Sequence, residues 1–416
     1  MGSLISITWL LTYTIIWLLA ANGALSEPLS RCDDSASPEA NCKLPKCRCY
    51  SSNIPGALQP GDTPQLVMLT FDGPVTMFNY ENYYAKSLFN RRNPNKCNIS
   101  ATFFTTHVDN DYWLTNELYR QGHEIALHTI SHPSDLSNWA NASVERLEEE
   151  FIGQMKILNT FGLIPMDSMR GLRNPHLQMS GDNTFKLMFQ RNLTWDSSWP
   201  THANLIDHII WPYTLDFKSP QDCPIPPCPK SSFPGRWVVP IVAWINENTI
   251  CSTPETCPNI STEGKILQFM KDNFHRHYDG NRAPFPLLLH ADWFSAHPFR
   301  FRAYKKFLDY LATQPGVYIV TISQVIEWIQ NPTPLSKMNK FWKCWKIPKN
   351  TCHPQGCKLM RINNGEEYYM ESCVDCPDVY PWLGVPDGKW SSNIVPLVAF
   401  ILVITILILV ILRTCC

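Results

Sequence analysis

The chain has 416 residues, enough for one large domain or two ordinary ones. Apolar residues make up 44% of it, so a full core can form. Thirty-five basic residues balance 36 acidic ones, which argues against a nucleic-acid binder working through a basic surface.

Residues 3–20 are mostly apolar, and small residues follow at Ala21, Gly23, Ala24 and Ser26. This is the pattern of a secretory signal peptide over residues 1–23. No Lys or Arg precedes the apolar run, so an uncleaved signal anchor is the competing reading. Residues 24–64 form an arm rich in Pro and dense in cysteine, predicted to be held by disulfides.

From residue 65 to 335 strand-like and helix-like segments alternate. Leu66–Phe71, Ala101–Thr105, Glu124–Leu127, Val238–Trp244, Pro286–Leu289 and Val317–Thr321 read as strands. Val144, Leu147, Phe151, Met155 and Leu158 recur at steps of three and four and predict a helix capped by Asn141 or Ser143. Ile266, Met270 and Phe274 predict a second, and Tyr304, Phe307, Leu308 and Leu311 a third. Ser323 is placed to cap a last helix through Ile329. Such alternation predicts a parallel α/β sheet or barrel. Two Pro/Cys-rich excursions, around Cys223–Cys228 and Cys251–Cys257, read as stapled loops near its rim.

Residues 336–390 carry Cys344, Cys352, Cys357, Cys373 and Cys376 and read as a second stapled segment. Ile394 to Leu412 is a charge-free stretch of 19 residues. At about 1.5 Å per residue it spans roughly 28 Å, one hydrocarbon core. Arg413 then reads as a stop-transfer charge, and Cys415 and Cys416 as palmitoylation sites. The rival reading is a GPI signal removed near residues 387–392. Both place the main domain outside the cell on the plasma membrane, as a single-pass type I protein or a GPI-anchored one.

Sixteen cysteines are present, and setting aside the last two leaves an even number: Cys32, Cys42, Cys47, Cys49, Cys97, Cys223, Cys228, Cys251, Cys257 and the five above. Behind a signal peptide they read as disulfides. Zinc binding by Cys47-x-Cys49 and Cys373-x-x-Cys376 is the competing reading, and no second pair at zinc-finger spacing supports it. Sequons at Asn98, Asn141, Asn192 and Asn259 predict glycosylated surface loops.

Three apolar runs end in titratable side chains. Leu66-Val67-Met68-Leu69 leads into Thr70-Phe71-Asp72-Gly73-Pro74, Glu124-Ile125-Ala126-Leu127 into His128-Thr129-Ile130-Ser131-His132, and Leu287-Leu288-Leu289 into His290. In parallel α/β architectures catalytic groups collect at the C-terminal ends of strands. His128 and His132, four apart with small polar residues between, suit a divalent metal if the chain turns after its strand. At this spacing histidines are more often solvated or structural. His290 reads as a general acid or as a hydrogen-bonded core residue. Arg170-Gly171-Leu172-Arg173-Asn174-Pro175 offers a rigid turn from which Arg173 orients Asp72 or pairs for stability, with Asp196 placed to hold Arg173.

In order and spacing these motifs resemble the polysaccharide deacetylases of carbohydrate esterase family four, with the NodB-homology fold. Within them they resemble the chitin deacetylases and chitin-deacetylase-like proteins of arthropods and related invertebrates. The resemblance runs from Cys42 to about Gly388. It includes Gly122-His123-Glu124, Trp211-Pro212-Tyr213-Thr214-Leu215-Asp216, Cys223-Pro224-Ile225-Pro226-Pro227-Cys228-Pro229, Asn281-Arg282-Ala283-Pro284-Phe285 and Tyr380-Pro381-Trp382-Leu383-Gly384. It implies a distorted (β/α) barrel with disulfide-rich flanks and metal-dependent N-deacetylation of chitin or another N-acetylglucosamine polymer. It implies Asp72 as general base, His128 and His132 as metal ligands, Arg173 as the arginine holding the base and Asp196 as its support. His290 matches the general acid and Leu288 a wall of the acetyl pocket, with His176, through its backbone N–H, and Trp293 as the other expected substrate-pocket residues. Trp195, Trp199, Trp211, Trp293 and Phe294 are candidates to stack on sugar rings, or core residues.

The chain departs from the pattern twice. Gly73 stands where the family has its metal-binding aspartate, and His176 where an aromatic residue follows the proline of the arginine motif. A divalent metal, zinc by preference, is therefore expected to be held weakly or not at all, with deacetylation impaired. Asp72 swung onto the metal would keep a 2-His-1-carboxylate shell but lose the base, for which His176 or Asp292 is a candidate substitute, though no sequence feature places either. The alternatives are a working deacetylase with an unusual metal shell and a surface protein that inherited only the fold.

Overall fold

The computed structural model describes residue 32 and residues 41–201, 209–362 and 364–389. The stretch at 1–23 expected to be a signal peptide and the apolar stretch at 394–412 lie outside these. Among the described residues no helix is long and apolar enough to cross a membrane.

The core is one nine-stranded sheet. β1 (Gln65–Asp72) is central, and β2 (Thr102–Thr105), β3 (Glu124–Leu127), β4 (Gly171–Leu172), β5 (Trp195–Asp196), β6 (Tyr213–Leu215) and β7 (Phe233–Val238) continue it on one side. β8 (Trp244–Asn246) and β9 (Thr249–Cys251) form a separate hairpin, while β10 (Phe285–His290) and β11 (Val317–Ile319) both pair with β1. The order is β10-β1-β2-β3-β4-β5-β7-β6, parallel throughout except the β6–β7 pair. The helices Glu263–Tyr278 and Pro298–Thr313 pack on each other beside it. This is a distorted (β/α) barrel, as expected.

Every residue of β1 is buried, which explains why the strand reads as a continuous apolar run. Val67, Leu69 and Phe71 join a core shared with the helices, while Leu66 and Met68 join the barrel interior with Phe104, Ala126, Trp195 and Trp237. Alternation carries Thr70 and Asp72 onto that inner face. The strand expected at Val238–Trp244 instead ends at Val238, and a new one starts at Trp244. The apolar segment between them is buried, so burial and not strand pairing accounts for its composition.

The helix expected from Val144 runs through Val144–Leu147, Glu148–Ile152 and Gly153–Gly162, the middle part as a π turn. Ser143 caps it, accepting from the N–H of Arg146 at 3.2 Å. The last helix, Ile322–Gln330, is capped by Thr321, not Ser323. The Ser323 hydroxyl binds Glu124 instead, a partner 199 residues away that no local pattern reveals.

All fourteen cysteines among the described residues are paired: Cys32–Cys49, Cys42–Cys47, Cys97–Cys344, Cys223–Cys228, Cys251–Cys257, Cys352–Cys373 and Cys357–Cys376. The sulfurs of Cys32, Cys42 and Cys49 lie within 4.8 Å of one another, but as disulfides they offer no thiolate to a metal. The C-terminal segment forms a hairpin of β12 (Gln355–Met360) and β13 (Glu367–Ser372). It packs on the barrel, with Tyr380 stacked on the buried His107 at 4.6 Å.

Candidate metal centre

The C-terminal ends of five strands converge. Asp72 and His290 are paired neighbours at the ends of β1 and β10, His128 follows β3, Arg173 follows β4, and Asp196 ends β5. Close packing there depends on Gly171, where a Cβ would lie 2.0 Å from the Trp195 ring.

Asp72 is buried and faces Arg173, whose Nη1 donates to its Oδ1 at 2.5 Å. Burial alone would raise the Asp72 pKa, but the guanidinium and the nearby histidines outweigh it and hold the carboxyl below its usual range. Arg173 lies 3.8 Å over the Phe104 ring and also donates to Thr70 Oγ1 at 3.1 Å. Its remaining bonds go to the Ser197 carbonyl (2.7 Å) and hydroxyl (3.0 Å). Asp196 therefore does not grip Arg173 by a hydrogen bond. It accepts from the Ser198 N–H (3.0 Å) and hydroxyl (2.5 Å), and burial pushes its pKa up to about 6. Its link to Arg173 is only through space, and the neighbouring Asn174 amide lies 3.5 Å from its Oδ1.

His128 and His132 converge as their spacing suggested. The His128 Nδ1 contacts the Arg173 carbonyl at 2.8 Å, and because a carbonyl only accepts, that nitrogen carries the proton. The bare Nε2 then faces the site, 3.2 Å from His132 Nε2 and 3.9 Å from Asp72 Oδ2. Two nitrogens each about 2.0–2.1 Å from one tetrahedral zinc would stand about 3.3–3.4 Å apart. Burial lowers the His128 pKa to about 3 and also lowers that of His132, so both rings are neutral near pH 7, the form that ligates. The donor set thus fits a divalent cation on two protein ligands.

Gly73 adds no third ligand. Its φ is +113°, and a Cβ built there would meet nothing within 4 Å. His176 is exposed, with its ring 5.1 Å from that of His132 and its backbone at φ +55°. Among the described residues, no set of three histidine or carboxylate groups here brings its ligand atoms within 4.8 Å of one another. Asp292 is exposed and acts electrostatically on Tyr83 and Tyr84.

His290 is partnered by Glu255, a residue to which the sequence assigned no role. The Glu255 carboxylate accepts from the His290 backbone N–H and meets its Nδ1 at 2.7 Å. The His290 side chain is about half exposed; partial desolvation pulls its pKa down, but the Glu255 carboxylate outweighs this and raises the value to about 9. Glu255 sits in the loop closed by Cys251–Cys257, and the stapling of that loop was its only signal. Leu288 packs with Leu177 and Ile241 in a small apolar cluster apart from the main core. Trp195, Trp199, Trp211 and Phe294 are 0–1% exposed and Trp293 is 8% exposed. The first four are core residues and present no face to a sugar. Trp293 packs on Phe294 in the main core, not with Leu288. Asn98, Asn141, Asn192 and Asn259 are all exposed.

Strand-end carboxylate, arginine and paired histidines on this barrel define a polysaccharide deacetylase domain, and the family model "Polysaccharide deacetylase" matches residues 60–183. A chitin deacetylase 8 from Bombyx mori is 40% identical over 90% of this chain and 98% of its own length. A chitin deacetylase 1 from the same organism is 35% identical over 86% of this chain and 68% of its own. The chain belongs to the chitin deacetylase-like proteins of carbohydrate esterase family four, a family that is typically metal-dependent. Among solved structures, a putative polysaccharide deacetylase from Mycobacterium smegmatis is 16% identical over 73% of this chain and 99% of that one, with a TM-score of 0.43.

Proposed function

We propose that this extracellular chitin deacetylase-like protein is tethered at the cell surface and engages N-acetylglucosamine polymers, with deacetylation impaired by the missing carboxylate at Gly73. The observation that carries this reading is the two-histidine site itself. His128 and His132 are set for a cation, and the residue after Asp72 has no side chain to complete the shell. Anchoring rests on the apolar stretch at 394–412 followed by Arg413.

A divalent metal held by His128 and His132 would polarise an amide carbonyl and acidify water. Asp72, fixed as an anion by Arg173, is the group to take a proton. His290, kept protonated by Glu255, is the group to give one to the departing amine. Leu288 with Leu177 and Ile241 offers an apolar wall for an acetyl methyl group.

Losing a partner beyond the ligands costs about 10–100-fold in metal affinity or activity, and losing a ligand costs at least as much. Purified protein is therefore expected to hold less than one equivalent of zinc after dialysis and to deacetylate chitin oligomers slowly while still binding them. Full zinc occupancy with robust turnover would reject the impaired site; absence of glycan binding would leave an inherited fold. Release from cells by a phosphatidylinositol-specific phospholipase would replace the spanning helix with a GPI anchor. A second reading, a working enzyme with an unusual shell, is favoured by the His176 ring beside His132. It predicts that His176→Ala lowers zinc affinity about 10-fold or more.

A further inference from the structure

The stretch from His128 to Ser131 has four consecutive backbone N–H groups, and all four donate to two buried side chains. Gln154 Oε1 accepts from His128 (2.8 Å) and Thr129 (2.9 Å). Glu150 Oε2 accepts from Ile130 (3.0 Å) and Ser131 (2.9 Å). The other Glu150 oxygen takes the Ser131 hydroxyl and the Arg146 guanidinium, the latter at 2.6 Å, and the Gln154 amide donates to the Thr105 carbonyl at the end of β2.

Glu150 and Gln154 are both 0% exposed, on a helix whose visible pattern is apolar. Four residues apart, they present their oxygens on one face. The π turn Glu148–Ile152 contains Glu150, and single π turns are frequent at functional sites. The loop they hold is strained, with Thr129 at φ +78° and His132 at φ +41°. A β-branched residue at positive φ persists only where its surroundings over-determine it.

We propose that Glu150 and Gln154 are positioning residues that hold the loop in its strained form, so that the His128 and His132 imidazoles converge before any cation arrives. The strain is thereby met on folding, and a cation finds two ligands already aimed at it. The link to metal rests on the proposed reading of His128 and His132 as ligands. The hold on the loop does not.

The test compares Glu150→Leu, which removes every acceptor, with Glu150→Gln, which keeps one carbonyl for the Ile130 and Ser131 amides. Gln154→Met serves as the second removal variant should Glu150→Leu fail to fold. Amide exchange in the metal-free protein is followed at residues 128–131 and, as a reference, in β1. Zinc affinity is read by chelator competition, and substituted Co²⁺ reports ligand geometry by its absorption. Removal is expected to speed exchange about tenfold or more at 128–131 with β1 unchanged, and to weaken zinc about 10–100-fold. Glu150→Gln should restore affinity to within about threefold of wild type. Unchanged exchange at 128–131 would overturn the proposal, as would a uniform rise across the protein. Wild-type zinc affinity and an unaltered Co²⁺ spectrum in a folded removal variant would also overturn it. Wild-type protein that binds neither ion would sink the metal reading, and the exchange result would still decide whether these residues hold the loop.

Discussion

Restoring a carboxylate by Gly73→Asp sets two effects against each other, and they appear in different assays. A Cβ at this position meets nothing within 4 Å, so no neighbour has to move. The backbone at φ +113° is one that side-chain-bearing residues rarely adopt, and holding it costs about 1–3 kcal/mol. That strain is present in the folded protein with or without metal, so it lowers stability and leaves the binding equilibrium untouched. In a domain of this size each kcal/mol lowers Tm by about 2–4 °C. The added anion should raise zinc affinity at least about 10–100-fold, roughly 1.4–2.8 kcal/mol. Gly73→Ala carries the strain without the carboxylate. Both variants are therefore expected to melt lower than wild type when metal-free, and only Gly73→Asp to gain zinc affinity and faster deacetylation. Isothermal titration or chelator competition, with thermal melts, measures both. A folded Gly73→Asp protein with wild-type zinc affinity would refute the assignment of Gly73 as the missing ligand position.

Arg173→Met leaves the Asp72 charge buried and uncompensated, and is expected to destabilise the fold by about 3–5 kcal/mol in urea unfolding at pH 7. The Asp72 pKa is lowered on folding, so its stabilising contribution is present above about 3.9 and disappears as pH falls through the folded value. The deficit of Arg173→Met should accordingly shrink in acid. The His290 pKa is raised, so the contribution of the Glu255 pair is complete below about 6.5 and is lost as pH rises toward about 9. In Glu255→Gln the His290 ring, followed by NMR, should titrate well below its wild-type midpoint; an unchanged midpoint would exclude Glu255 as its partner. Mass spectrometry of secreted protein should find glycans at Asn98, Asn141, Asn192 and Asn259, all exposed, and an unoccupied sequon would remove that site from the set.

Much of the fold was legible because the strands of a two-layered parallel barrel are short apolar runs. Leu66–Phe71 and Pro286–Leu289 each needed only one more residue at either end to match β1 and β10. Where the signal was burial alone, as between Val238 and Trp244, composition did not separate a strand from a buried connection. Helix 144–162 was legible by its apolar repeat, whereas Glu150 and Gln154 on the same helix were not. Their partners are backbone amides 19–26 residues away, and a polar residue in a helix carries no mark of being buried.

The sequence by itself pointed to the class of site, since Asp72, His128 and His290 each follow or end an apolar run, His132 comes four residues after His128, Arg173 lies in a turn closed by Pro175, and Gly73 stands beside Asp72. Only the tertiary structure decided who holds whom. It gave Arg173 to Ser197 and Asp72, and left Asp196 to its own turn. It brought Glu255 to His290, and placed the His176 ring beside His132. Strand ends are local and leave a trace in hydropathy, whereas hydrogen-bond partners across a barrel are chosen by packing between segments that the chain order keeps apart.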